Sequence, residues 1–123
     1  MKRDRIITIL CSLPLAAAIS VMPATAGSKA VNFSTQIKPV LKAKCYSCHK
    51  PGKAKGELDL TTKTGIQKGG SEGKLYKAGK GAESLLVKRL KGIGGDIMPQ
   101  DDKPLSEAQI KLVTRWINEG AKF

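Results

Sequence analysis

Histidine is nearly absent from these 123 residues: His49 is the only one, and the cysteines number three, Cys11, Cys45 and Cys48. Outside residues 45–49 there is only Cys11, and it falls in an N-terminal segment with a separate role. A structural zinc site, which takes four ligands drawn mainly from Cys and His, is therefore excluded. Aromatic residues are equally sparse. Phe33, Tyr46, Tyr76, Trp116 and Phe123 are all there are, so a chain of this size buries only a modest core unassisted. No run of β-branched residues surrounds the cysteines, which removes the βαβ setting of a thioredoxin-like dithiol. Acidic residues are outnumbered, 10 against 22 basic, giving a formal net charge of +12. There is no internal repeat and no linker that would divide the chain.

What is present is concentrated in one pentapeptide, Cys45-Tyr46-Ser47-Cys48-His49. C-x-x-C-H is the attachment signature of a c-type haem. Two thiols three residues apart, projecting from one turn of helix, can form thioethers with the two vinyl groups of one porphyrin. His49 then lies under the ring with an imidazole nitrogen toward the iron. A Cys45–Cys48 disulfide would leave His49 unexplained; a redox dithiol is the main competing reading. Because a haem carries redox chemistry that no side chain supplies, function follows from the cofactor.

Residues 1–26 read as a cleavable signal peptide. Lys2, Arg3 and Arg5 make a basic start, Ile6 through Val21 an apolar stretch, and Ala24-Thr25-Ala26 a small-residue cleavage pattern. The apolar stretch falls short of the ~20 residues a spanning helix needs, and an uncleaved anchor is the competing reading. Residues 27–123 would then form one domain, exported to the periplasm. That compartment agrees with covalent haem attachment, and it leaves no cysteines for a disulfide framework. Lys2, Arg3, Asp4 and Arg5 account for +2 of the charge, so the mature chain keeps +10. In an exported haem protein this excess points away from nucleic acid. It points toward redox partner proteins with an acidic docking surface, or a peripheral contact with an anionic membrane surface. Solubility alone is the competing explanation.

Along the mature chain the periodicity predicts a helix over 34–48, capped by Ser34 and carrying Ile37, Val40 and Leu41. Residues 50–81 read as a glycine-rich loop with a helical turn near 62–67, its Leu58, Leu60 and Ile66 turned inward. A short helix over 82–91 follows, with Leu86 and Leu90 on one face. The last helix is the best delimited. Ser106 and Gln109 form a capping box, Ile110, Val113, Trp116 and Ile117 make an apolar stripe expected to pack on the first helix, and Gly120 ends it.

Opposite His49 a low-spin haem takes a sixth ligand, commonly a thioether. Met98 is the one methionine outside the signal segment. It stands in a glycine-rich loop, directly before Pro99 and the polar run Gln100-Asp101-Asp102-Lys103, a poor setting for a core gap-filler. Met98 is therefore the expected axial ligand, with lysine, water or a vacant position as alternatives.

The order of helix, C-Y-S-C-H, wrapping loop, Met98-Pro99 and a C-terminal helix with Trp116 resembles a class I monohaem cytochrome c. The segments Ile37-Lys-Pro-Val-Leu, Gly56-Glu-Leu-Asp-Leu, Ser84-Leu-Leu-Val-Lys-Arg and Leu105-Ser-Glu-Ala-Gln-Ile are similar, more narrowly, to the planctomycete-type cytochrome c domains. Gln100 stands where that group often has a second proline. The resemblance implies a small all-α fold with N- and C-terminal helices packed together and short helices and loops around one haem c. It also implies Cys45 and Cys48 as thioether anchors, and His49 and Met98 as iron ligands. The expected function is a monomeric periplasmic electron carrier, not an enzyme. The alternatives are a haem-bearing subunit of a larger dehydrogenase or oxidase, and an open-site haem enzyme or gas-binding protein.

Overall fold

The structure is a computed structural model that describes residues 27–123. The expected signal segment, 1–26, lies outside the described residues. The first helical segment opens as a π-turn, Phe33–Ile37, and continues as α1, Lys38–Lys44. Its cap is Asn32, not Ser34. The Asn32 side chain accepts from the Thr35 N–H at 3.0 Å, while the Asn32 N–H donates to the Gln36 side chain at 2.8 Å. Two N-terminal donors are thereby satisfied reciprocally. Pro39 sits in the first turn of α1, where its missing N–H costs nothing.

Two further expectations need correction. α1 ends at Lys44 and does not run through the pentapeptide. Cys45 leaves helical geometry (φ −121°), and the N–H groups of Cys45 and Tyr46 both bond to the Leu41 carbonyl at 2.8 and 3.2 Å. Residues 45–48 are a turn. Nor is the fold all-α. Directly after that turn, β1 (His49–Lys50) pairs antiparallel with β2 (Lys53–Ala54), with His49 opposite Ala54. The cause is local. Pro51 cannot extend a helix, and Gly52 at φ 79° supplies the left-handed position of a type II reversal, so the chain folds back on itself at once. The described residues form a small mixed fold of four α-helices and a two-stranded sheet.

A short 3₁₀ turn, Lys55–Glu57, leads away from the ribbon, and α2 (Lys63–Lys68), α3 (Leu85–Leu90) and α4 (Glu107–Asn118) follow. α2 begins on Thr62, whose hydroxyl accepts from the Gly65 N–H. α4 has the expected Ser106/Gln109 capping box, and it packs on the π-turn and on α3. Close approach to the 77–84 loop requires glycine at 81, because a Cβ there would press against Thr114 and Asn118 of α4.

The core is centred on Trp116. Its ring is fully buried and meets Phe33, Phe123 and Tyr76 at centroid distances of 5.4, 5.4 and 5.7 Å, and its indole N–H donates to the Lys122 carbonyl at 2.7 Å. Four of the five aromatics thus sit in one cluster, each such pair contributing roughly 0.5–1.5 kcal/mol beyond burial. Ile37, Leu41, Val113 and Ile117 complete this half of the core. Trp116→Ala is expected to cost about 3–5 kcal/mol, most of the stability of a small domain. Denaturant titration checks this, and a midpoint near that of the parent would contradict the central place given to the ring.

Candidate haem site

Beside this core lies a cavity of about 710 Å³, within the ~300–1,000 Å³ span of small-molecule and cofactor sites. Its apolar lining comes from Leu58 and Leu60 after the ribbon, Leu75, and the α3 face carrying Leu85, Leu86 and Leu90. Ile66, also expected to turn toward the cofactor, is instead buried in the core and does not line the cavity.

Cys45, Cys48, His49 and Met98 all line this one cavity. The two cysteines are half-buried and carry no disulfide. Burial first, and the neighbouring Cys48 second, push the Cys45 thiol up to about 11. It therefore stays protonated at neutral pH, a poor state for a redox dithiol, whose exchange chemistry runs through thiolate.

His49 is fixed by backbone as well as side chain. Its N–H bonds to the Cys45 carbonyl at 3.0 Å, and its carbonyl accepts from Leu60 N–H at 3.0 Å. Its Nδ1 lies 2.9 Å from the Lys55 carbonyl. A carbonyl oxygen only accepts, so Nδ1 carries the proton in this contact and Nε2 keeps its lone pair for a metal. The ribbon reversal at Pro51-Gly52 returns Lys55 to this position.

Met98 closes the loop that follows α3, and its N–H bonds to the Arg89 carbonyl at 2.9 Å; the Met98–Pro99 peptide bond is cis. Two ion pairs tie the residues after it to the segments flanking the pentapeptide. Lys44, just before Cys45, meets Asp102 at 2.8 Å, and Lys55, just after the ribbon, meets Asp101 at 3.9 Å. In the sequence these aspartates read only as a polar flank. Nothing in residue spacing pairs Lys44 with a partner 58 positions away, and a backbone acceptor such as the Lys55 carbonyl leaves no signal in residue type.

Two thiols, an imidazole with one nitrogen free and a thioether around one largely apolar cavity are the groups that attachment of a c-type haem requires. Residues 45–102 match the family model described as Planctomycete cytochrome C. The match runs from the first cysteine of the pentapeptide to Asp102 and takes in all four candidate residues. Members of such a family carry covalently bound haem c and serve electron transfer. No curated protein and no solved structure matches the chain. The residues present fit the cofactor on their own terms: the cavity is of cofactor size with a leucine-rich wall, and Cys45, Cys48 and His49 all belong to its lining.

The hydrogen bond from Lys44, and after it the one from the Lys103 N–H, hold the Asp102 carboxyl below its usual value. A depressed carboxyl contributes stability above its unfolded-state pKa and loses that contribution as pH falls through the folded value. Asp102→Asn is therefore expected to lower the thermal midpoint at neutral pH. The gap from the parent should close as pH drops below the ordinary aspartate value of ~3.9. A gap that is constant with pH would contradict the Lys44–Asp102 tie.

Proposed function

We propose that the chain is an exported, monomeric, single-haem electron carrier. In this reading Cys45 and Cys48 hold the porphyrin through thioethers, and His49 and Met98 are the two axial ligands. When bound, the haem supplies reversible one-electron chemistry that no side chain provides. The observation that carries the reading is a single cavity lined by all four side chains, with His49 Nδ1 already engaged by Lys55. His49 and Met98 would hold the iron from an imidazole and a thioether, a pair that would leave no position for exogenous ligands and would favour a relatively high potential. The leucine lining would give the porphyrin an apolar surface to pack against. With His49 and Met98 both committed to the iron, the site would suit electron transfer rather than enzymatic turnover.

The signal segment directs the chain to the periplasm, and residues 27–123 act there as one domain. The partner we propose is a redox protein with an acidic surface. Its approach is steered by the lysine excess, with an anionic membrane surface as an alternative contact and nucleic acid excluded. Among the charged residues lining the cavity, Lys44, Lys55 and Arg89 are balanced by Glu72, Asp96, Asp101 and Asp102. The cavity lining itself therefore does not carry the positive excess, which in this reading steers the partner at long range. A second reading, a haem-bearing subunit of a larger complex, is favoured by Ile93 and Ile97. These are exposed apolar side chains on the Met98 loop, 53% and 41% accessible, and a permanent partner would cover them. Gel filtration of native extract separates the two readings, since a free carrier elutes as a small monomer.

Met98→Ala is the direct test of ligation. The variant should keep its haem through Cys45 and Cys48, lose the far-red band of sulfur-to-iron coordination, show a lower potential and bind carbon monoxide. An unchanged potential would remove Met98 as the ligand. Ready carbon monoxide binding by the parent ferrous protein would favour the open-site reading.

A further inference from the structure

The loop carrying Met98 has little of its own to hold it. Residues 92–97 include three glycines, Gly92, Gly94 and Gly95, and such a stretch loses much conformational entropy when ordered. One residue of α3 touches this loop at two points. The Arg89 carbonyl accepts from the Met98 N–H. Three residues earlier along the loop, the Gly95 backbone lies against the Arg89 guanidinium so closely that a Cβ on Gly95 would overlap it. Gly95 does not adopt a positive φ, so the missing Cβ serves space and not backbone conformation.

The guanidinium is itself anchored. Its side chain is only 18% accessible, low for an arginine, and it forks onto Glu72, with Nη2 to Oε1 at 2.5 Å and Nε to Oε2 at 3.2 Å. Glu72 stands on a reversal whose Gly70 and Gly73 exchange backbone hydrogen bonds of 3.1 and 2.9 Å. Ser71 N–H ties that reversal to the Gly56 carbonyl at 2.8 Å, immediately after Lys55. A chain of contacts thus runs from the segment that orients His49, through Glu72 and Arg89, to the loop that ends at Met98.

We propose that the Arg89 side chain is a positioning residue for Met98: clamped by Glu72, it braces Gly95 and keeps Met98 in the cavity wall against displacement. This role rests on the proposed reading of Met98 as an iron ligand. A salt bridge serving stability alone would change the unfolding midpoint and leave the exchange of the sixth ligand untouched. A positioning role changes ligand exchange in a protein that is still folded. Glu72 is largely exposed, so its charge remains hydrated when Arg89 is replaced, and the fold has no unpaired buried ion to accommodate.

The test uses the haem-loaded protein and four variants: Arg89→Gln, Arg89→Lys, Gly95→Ala and Met98→Ala. Carbon monoxide association with the ferrous form and the far-red band of the ferric form are the readouts, beside helicity and haem-to-chain ratio. Arg89→Gln and Gly95→Ala should keep helicity and haem yet bind carbon monoxide about tenfold faster, the shift in open population expected from losing a charge-assisted hydrogen-bonded contact. Arg89→Lys should be intermediate, because an ammonium can pair with Glu72 but cannot present the planar fork. Gly95→Ala is the most telling variant, since it displaces the guanidinium while keeping every charge. Parental rates in both variants, beside a fast Met98→Ala, would overturn the role of Arg89 and leave Met98 as ligand. Loss of haem or helicity in both Arg89→Gln and Gly95→Ala would assign Arg89 to general folding and overturn it as well. A Met98→Ala protein with its band and slow binding intact would instead overturn the ligand reading, and this inference with it.

Discussion

The hydrogen bond between His49 Nδ1 and the Lys55 carbonyl, 2.9 Å long, is the contact on which the proposed chemistry depends. An imidazole two bonds from the backbone can rotate and can carry its proton on either nitrogen; this contact selects one tautomer and one orientation. It exists because Pro51-Gly52 reverses the chain immediately after the pentapeptide. The two-residue ribbon is small, but it sets Lys55 beside His49 and, through Lys55 N–H to the Cys48 carbonyl at 3.0 Å, also fixes the second cysteine. The pentapeptide turn, the candidate ligand His49 and its support are therefore one backbone unit.

The scarcity of aromatics and the cavity are two sides of one economy. Trp116 gathers three of the remaining four aromatics on one side of the molecule. On the other side the leucines of residues 58–60, Leu75 and α3 face a cavity instead of one another. A flat apolar cofactor in that space would complete the packing those leucines begin, so the group that carries the redox chemistry would also carry part of the stability. The loop that closes the site is held differently, by ion pairs at Asp101 and Asp102 and by the Arg89 contacts, which makes it the more adjustable wall.

Much of this was legible in the sequence because the signals were local. C-x-x-C-H, the lone methionine beyond residue 26 and the Ser106/Gln109 box each depend on residues a few positions apart, and the amphipathic stripe of α4 spans enough turns to be periodic. The ribbon was not legible, since two-residue strands are too short for any alternation to register. Its turn, Pro51-Gly52, is built from residue types that equally well end a helix. The end of α1 was also missed: Val40, Leu41 and the cysteines keep helical spacing, and what stops the helix is a pair of backbone donors sharing the Leu41 carbonyl. Lys44–Asp102 and Glu72–Arg89 lay beyond reach for another reason. In a chain with 22 basic residues, nothing about one lysine or arginine singles out the acid it will meet across the fold.

The central claim is that this chain surrounds a haem iron with His49 on one side and Met98 on the other. Iron X-ray absorption on the haem-loaded ferric protein tests it most directly. The geometry of the residues predicts a nitrogen shell from porphyrin and imidazole together with a single sulfur at thioether length. A first shell of nitrogen and oxygen alone, or a sulfur at the shorter thiolate distance, would contradict it.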